Sequence, residues 1–338
     1  MSHEIRSNDS FGEVRSNGQR AWHGLGIEIP AGLGAVDAFK QIGLGWGTEL
    51  LPVFADRLTP NGVERLEIST HKMHVRSDTG DQLGMVSADY KKFDNEEGAR
   101  FADTILGEDA AASVETASSL YGGRRVFVLL NLPKSIVAKG DDIVKPYICL
   151  SWGHGGFASI QGGATGVRVV CANTIAMADR EIGQSGFRFI HTGNVQDKLK
   201  SARMLLGFAT KQIERMAEQV KALAATQISG AQVKEFMNAA FEAAFPRPDA
   251  KDIELFDKWV AKKSETFEEW RQLFVSERNN GMLAIRGTAW AAFNTVTEWH
   301  DHGRGRTDEG SDVRVHSNLF GVSREAKSKT LKLALALV

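Results

Sequence analysis

Between residues 199 and 223 apolar side chains recur at alternating steps of three and four: Leu199, Ala202, Leu206, Ala209, Ile213, Met216, Val220 and Leu223. Such steps bring every member onto one face of an α-helix. The seam predicts a long helix with one buried stripe, packed against other helices of the chain or against a second copy. Upstream of about residue 195 the pattern changes to short β-branched and aromatic runs separated by glycine, asparagine and aspartate. Those are strands joined by tight turns. Downstream, helical spacing covers 195–225, 230–244, 252–276 and 283–300, with Pro246 and Pro248 as a break. Strands first and helices last predict an α+β fold of antiparallel sheets covered by helices.

Three stretches are expected: a polar, flexible tail over 1–20, an α+β core over 21–195 made of two β-rich blocks, and a helical region over 196–338. In the first block AVDAFKQIG reads as a helix, WGTELLPVFADRL, ERLEISTHKMHVRS and QLGMVS as three antiparallel strands, and DYKKFDNEEGARFADTIL as a covering helix. Pro52 marks its strand as an edge or a bulged one, and Asp94 or Asn95 is the expected helix cap. The second block holds a hairpin turning at Gly122-Gly123. Strands in DIVKPYICLSW, GVRVVC and FRFIHTG follow, with the glycine-rich GHGGFASIQGGATG as loop or bulged strand.

The formal net charge is −1 over 338 residues, so no global field draws the chain to a polyanion and any nucleic-acid site must be local. Cys149 and Cys171 both lie in apolar runs without a CxxC pair, which speaks for a reducing, cytoplasmic setting. No run approaches the ~18 apolar residues of a membrane span. The P-loop, dinucleotide-binding, serine-hydrolase and zinc-protease signatures are absent. No cofactor or metal is expected.

The stretch GVRVVCANT (166–174) carries the functional reading. If GVRVVC is a strand and Asn173 or Thr174 caps a helix in IAMADRE, free N–H groups at that corner favour an anion. HTGN repeats the device, with His191, Thr192 and Asn194 ahead of the long helix. With Arg124, Arg125, Arg168, Lys91 and Lys92, the corners after residues 172 and 190 are expected to adjoin in one electropositive channel for a phosphate backbone. Trp46, Tyr90, Tyr121 and Trp152 are the aromatic rings available to stack bases. The competing reading is enzymatic. Cys171 and His191, with Asn173 or Asn194, are the residue types of a thiol triad, and His154 sits between glycines on an apparently mobile loop. A cysteine in a β-branched run more commonly packs than reacts. His71 and His74 point to opposite faces of a strand, and His300-Asp301-His302 reads as a solvated helix end.

WHGLG, GLGW, VRSDTGDQLGMVSADY, SLYGGRRVFVLLNLP, GVRVVCANT, FIHTGN and GTAWAAFNTVTEWHDH resemble, in this order, the phage/plasmid-like protein family. That family is a domain of unknown function on mobile elements. The resemblance runs from about residue 20 to 335. It implies a bacterial, phage or plasmid setting and does not imply an activity. The element order of the first block also looks like single-strand annealing recombinases of the Erf, RecT and Red-beta type. This second resemblance implies ATP-independent binding and pairing of single-stranded DNA by a homo-oligomer. The leading expectation is such a protein, with no membrane association. The alternatives are an enzyme acting on a nucleotide or nucleic acid through His154, His191 and Cys171, and a mobile-element accessory that binds a host protein through its helical region.

Overall fold

A computed structural model describes residues 11–16, 19–20, 27–30, 32–108, 113–170, 173–175, 187–189, 202–303 and 311–338. The fold is α+β, with antiparallel sheets and helices gathered in the C-terminal third. The chain divides into two compact units. The first comprises the described residues of Met1–Pro133, Ile148–Gly163 and Gly183–Ala209, the second those of Lys134–Tyr147, Ala164–Ile182 and Thr210–Val338. The division therefore differs from the sequential one read from periodicity, because the helical region takes two upstream β segments with it.

The first unit opens with β1 (Phe11–Ser16), β2 (Gln19–Arg20), β3 (Ile27–Ile29) and α1 (Ala35–Gln41). Residues 1–20 were expected to be a flexible tail. Instead β1 pairs antiparallel with β7 (Ser113–Leu120) and parallel with β3. Ladder bonds come from the backbone, so a polar segment can supply a strand without an apolar signature. Residues 1–10, 17–18 and the WHGLG motif lie outside the described residues.

β4 (Thr48–Thr59), β5 (Gly62–Arg76) and β6 (Gln82–Ser87) form the expected three-stranded antiparallel sheet. β4 follows β5 from Thr48 opposite Arg76 to Thr59 opposite Gly62, whereas β6 reaches only His71–Val75 of β5. The outer part of the β4–β5 hairpin is thus a two-stranded ribbon. The register slips between Pro52 and Phe54 on the edge strand β4, as a residue without an N–H requires. α2 (Asn95–Glu108) follows, and the Asp94 N–H donates to Glu97 Oε2 at 2.9 Å. Gly98 of α2 lets the helix settle onto Trp152, since an added Cβ would lie 2.4 Å from the indole. Trp152 also stacks on Phe39 and meets Phe93 edge-on, making it the centre of this core. β7 returns into β8 (Arg125–Asn131) through Tyr121, Gly122 and Gly123, all at positive φ, as the glycine pair predicts.

The second unit begins with β9 (Ile136–Lys139), paired with the start of β10 (Asp142–Gly153). Its helices are α3 (Ala202–Ala225, in this unit from Thr210), α4 (Gly230–Ala244), α5 (Ile253–Val275), α6 (Ala289–Glu298), α7 (Ser311–Phe320) and α8 (Val322–Leu335). Met216, Val220 and Leu223 of the predicted seam are buried among Phe236 and Phe241 of α4 and Trp290 and Phe293 of α6. The seam is therefore an intrachain packing stripe over this length. Ser229 and Gln232 close a capping box at the start of α4.

GVRVV falls in β11 (Ile160–Arg168) and the turn at 169–170, and Cys171 lies outside the described residues. The corner that follows is a hairpin rather than a strand-to-helix step. β12 (Asn173–Ile175) returns antiparallel, with Arg168 opposite Asn173 and Val167 opposite Thr174. Asn173 and Thr174 are ladder residues here, not caps. The helix expected in IAMADRE lies outside the described residues.

Candidate nucleic-acid interface

An open groove of about 610 Å³ lies at the foot of the β4–β5 ribbon, lined by Thr48–Leu51, Lys72 and the Ala88 and Tyr90–Lys92 segment that follows β6. Tyr90 anchors it. Its ring packs against His74 at 5.4 Å and its hydroxyl donates to the Gly153 carbonyl at 3.4 Å. Burial, with Asp94 nearby, pushes the phenol far above its ordinary range. With Tyr90 held inside, the next two side chains, Lys91 and Lys92, stand at the surface. Lys92 Nζ donates to the Thr48 carbonyl at 2.9 Å and to Asp94 at 2.7 Å, which spends part of its charge. Lys91 and Lys72 make no ion pair among the described residues. Three lysines face the single carboxylate of Glu49 in this lining.

The ribbon above the groove carries two internal ion pairs, and Glu67, opposite Phe54, makes none among the described residues. Arg57 pairs with Glu64 at 2.5 Å and Arg65 with Asp56 at 3.1 Å. Arg65 also lies 5.8 Å from the Phe54 ring, which remains 48% exposed. Phe54 is thus an aromatic face in solvent close along β4 to the groove, a position suited to base stacking.

Trp46, Tyr90 and Trp152 are buried and Tyr121 is half-buried, so the first three do not offer a face to bases. Lys72 and Phe54 were not anticipated. Lys72 joins Lys91 only through the β5–β6 register, and Phe54 reads as core until the ribbon is seen to lack a third strand.

His154 was expected on a mobile loop and is instead sealed. It has no solvent exposure, and its Nε2 lies 3.0 Å from Asn95 Oδ1. Trp152 Nε1 donates to that same oxygen, while the Asn95 amide donates to the Leu44 carbonyl. That orientation makes Asn95 Oδ1 an acceptor, so His154 carries its proton on Nε2. Its ring rests against Trp46 and His74. The Gly155 N–H donates to His74 Nδ1 at 2.9 Å, and an added Cβ at Gly155 would lie 2.2 Å from the Leu83 carbonyl oxygen. Only a glycine at φ +63° passes there. His154 thus does not face solvent.

The arginine pair after the hairpin splits. Arg124 is exposed, with its guanidinium 4.9 Å from the Phe157 ring, whereas Arg125 turns inward and donates to Ser151 Oγ at 3.0 Å. Arg124 is the last residue of the hairpin turn and Arg125 the first of β8, a strand buried on both faces, which explains the split. Arg168, expected to meet phosphates, is fully buried. It grips Asp142 from Nε at 2.7 Å and Nη2 at 2.9 Å, and donates to Asn279 Oδ1 at 3.0 Å and the Arg278 carbonyl at 2.6 Å. Trp290 Nε1 completes the cage on Asp142 at 2.8 Å. This arginine is committed to its own carboxylate.

Of the two corners expected to form one channel, the residues after 172 are ladder residues of β12 and those after 190 lie outside the described residues. β12 pairs with Gly166–Arg168 of β11, and β13 (Phe187–Phe189) with Ile160–Gly162, the opposite end of the same strand. Cys171, His191, Thr192 and Asn194 lie outside the described residues. His300 and Asp301, expected in solvent, are buried in a π-helical turn (Trp299–Gly303) that ends α6. Asp301 receives the Lys327 ammonium at 2.5 Å. Complete burial lowers the Lys327 pKa despite that partner. Among the described residues no cluster of histidine, cysteine and carboxylates is arranged to hold a metal, and no helix is long and apolar enough to cross a membrane.

No curated protein and no solved structure matches the chain. Residues 82–330 match a family described as a domain of unknown function, DUF932. That match takes in β6, Tyr90–Lys92 and every element from α2 to most of α8, so the chain belongs to the DUF932 family.

Proposed function

We propose that this chain binds single-stranded DNA at the lysine groove of the first unit, with Lys72, Lys91 and Lys92 neutralising phosphates and Phe54 stacking on a base. The observation that carries the reading is the convergence of three lysines, two of them without an ion partner among the described residues, in an open groove of a nearly neutral chain. Phosphate contacts of this kind bind a strand without reading its sequence. Arg125 and Arg168 are buried and do not belong to this surface. The resemblance of its motifs to phage/plasmid-like proteins, and of the first block's element order to annealing recombinases, supports the finer reading: a mobile-element protein that pairs complementary strands without ATP, as a cytoplasmic homo-oligomer.

The test is anisotropy of labelled oligo-dT at low salt, followed by fluorescence-reported annealing of complementary strands. Lys72→Glu with Lys91→Glu is expected to abolish binding and annealing while the melting temperature holds. Absent binding by the unmodified chain, or unchanged binding by the double variant, overturns the proposal.

A further inference from the structure

A second open groove, about 870 Å³, runs between α4 and α5 in the second unit. Its floor is apolar, built by Val233 and Met237 of α4 and by Val260, Phe267 and Phe274 of α5. These are positions four apart on α4, and seven and seven apart on α5, so each helix presents one face along its length. From Val260 to Phe274 the floor extends 14 residues, about 21 Å of helix.

α5 is unusually bare for a helix in a packed unit. Of its 23 residues only Thr266 and Trp270 are buried. Ile253, Leu255, Val260 and Val275 are exposed apolar side chains along it. Two adjacent helices with an uncovered apolar valley match the arrangement into which a third helix packs by ridges and grooves.

The rim has one dominant sign. Lys234, Lys263 and Arg271 border the groove, against the single carboxylate of Glu268. Glu268 is taken by Arg271 at 2.7 Å, and Lys263 bonds Glu242 at 3.3 Å while lying 4.9 Å from the Trp259 ring. Lys234 makes no ion pair among the described residues. An apolar floor with a cationic rim is complementary to a helix with leucine-like anchors on one face and carboxylates beside them. It suits a nucleic acid poorly, because Val, Met and Phe offer phosphates no donors.

We propose that the α4–α5 groove docks an acidic amphipathic helix of about four turns from a protein partner. This site is independent of the lysine groove and does not rest on DNA binding. The probes are two stapled helical peptides with the same leucine positions, one otherwise rich in glutamate and the other in lysine, measured by polarisation against the full chain. The glutamate peptide is expected to bind at least about tenfold more tightly than the lysine peptide. Lys234→Glu with Arg271→Glu is expected to reverse that preference, and Val260→Ser to weaken both peptides. Lys72→Glu with Lys91→Glu is expected to leave peptide binding intact. If the double charge reversal does not fold, Lys234→Glu alone must still narrow the preference. No binding of the glutamate peptide, equal binding of the two, an unaltered preference in the charge variants, or displacement of the peptide by oligo-dT overturns the proposal. So does displacement by self-association of the chain.

Discussion

Lys91 of the first unit is exposed and Lys72 half-buried, both with no ion partner among the described residues, whereas Arg168 and Lys327 of the second are enclosed and paired with Asp142 and Asp301. The same charge does different work in the two places. A buried cation costs desolvation, and its carboxylate offsets that cost only while the pair is intact. An exposed lysine costs the fold almost nothing and remains available to a ligand. The Arg168 cage joins β10, β11 and the turn after α5 through Asp142, Asn279 and the Arg278 carbonyl, so it fastens elements far apart in sequence. In the lysine groove only Lys92 makes such a link among the described residues, to the Thr48 carbonyl and Asp94.

The sharpest way to break this contrast is to remove one buried partner. Arg168→Met leaves Asp142 charged and enclosed, and is expected to lower urea-measured stability by about 3–5 kcal/mol. A smaller loss, within that of a surface substitution, would mean the cage is open to water. Next in size is Gly155→Ala, which drives a methyl into the Leu83 carbonyl at positive φ. The expected cost is about 2–4 kcal/mol, read as a fall in denaturation midpoint. A neutral result would show that the His154 turn moves freely, and would reopen that histidine as a functional group.

Alkaline pH separates the units by sign. Lys327 has a folded pKa below its ordinary value of 10.5, so the unfolded chain binds more protons in the interval between the two. Its penalty is complete below the folded value, and stability rises with pH up to the ordinary value. Lys327→Met is expected to remove that rise. Tyr90 acts oppositely. Its phenol is raised above an ordinary value of 10.0, so its contribution is complete below that pH and is lost above it. Tyr90→Phe is expected to remove the loss. Urea titrations of both variants across the alkaline range check the two signs. The smallest expected effect is on the exposed side: Lys91→Ala should change stability by less than about 0.5 kcal/mol.

Periodicity made the helical third legible, since the seam at Met216, Val220 and Leu223 and the boundaries of α4 follow from spacing and a capping box. The Gly122-Gly123 hairpin and the slip at Pro52 were legible because each rests on a single residue's backbone freedom. Burial of charge was not. Arg168 sits in an apolar run either way, and nothing local announces that Asp142, 26 positions earlier, closes on it. Likewise the HDH motif looked like a helix end, but Lys327 of α8 closes on Asp301. Of the expected site, Lys91, Lys92 and Arg124 stand at the surface because they lie in the irregular segment after β6 and in the hairpin turn before β8, outside the paired strands.

The salt dependence of oligo-dT binding addresses the lysine groove most directly. Each phosphate neutralised on a single strand contributes about −0.7 to the slope of log affinity against log salt. Replacing Lys72 and Lys91 together by alanine should flatten that slope by about 1.4 while the fold is kept. A slope identical to that of the unmodified chain would place the strand elsewhere and contradict the assignment.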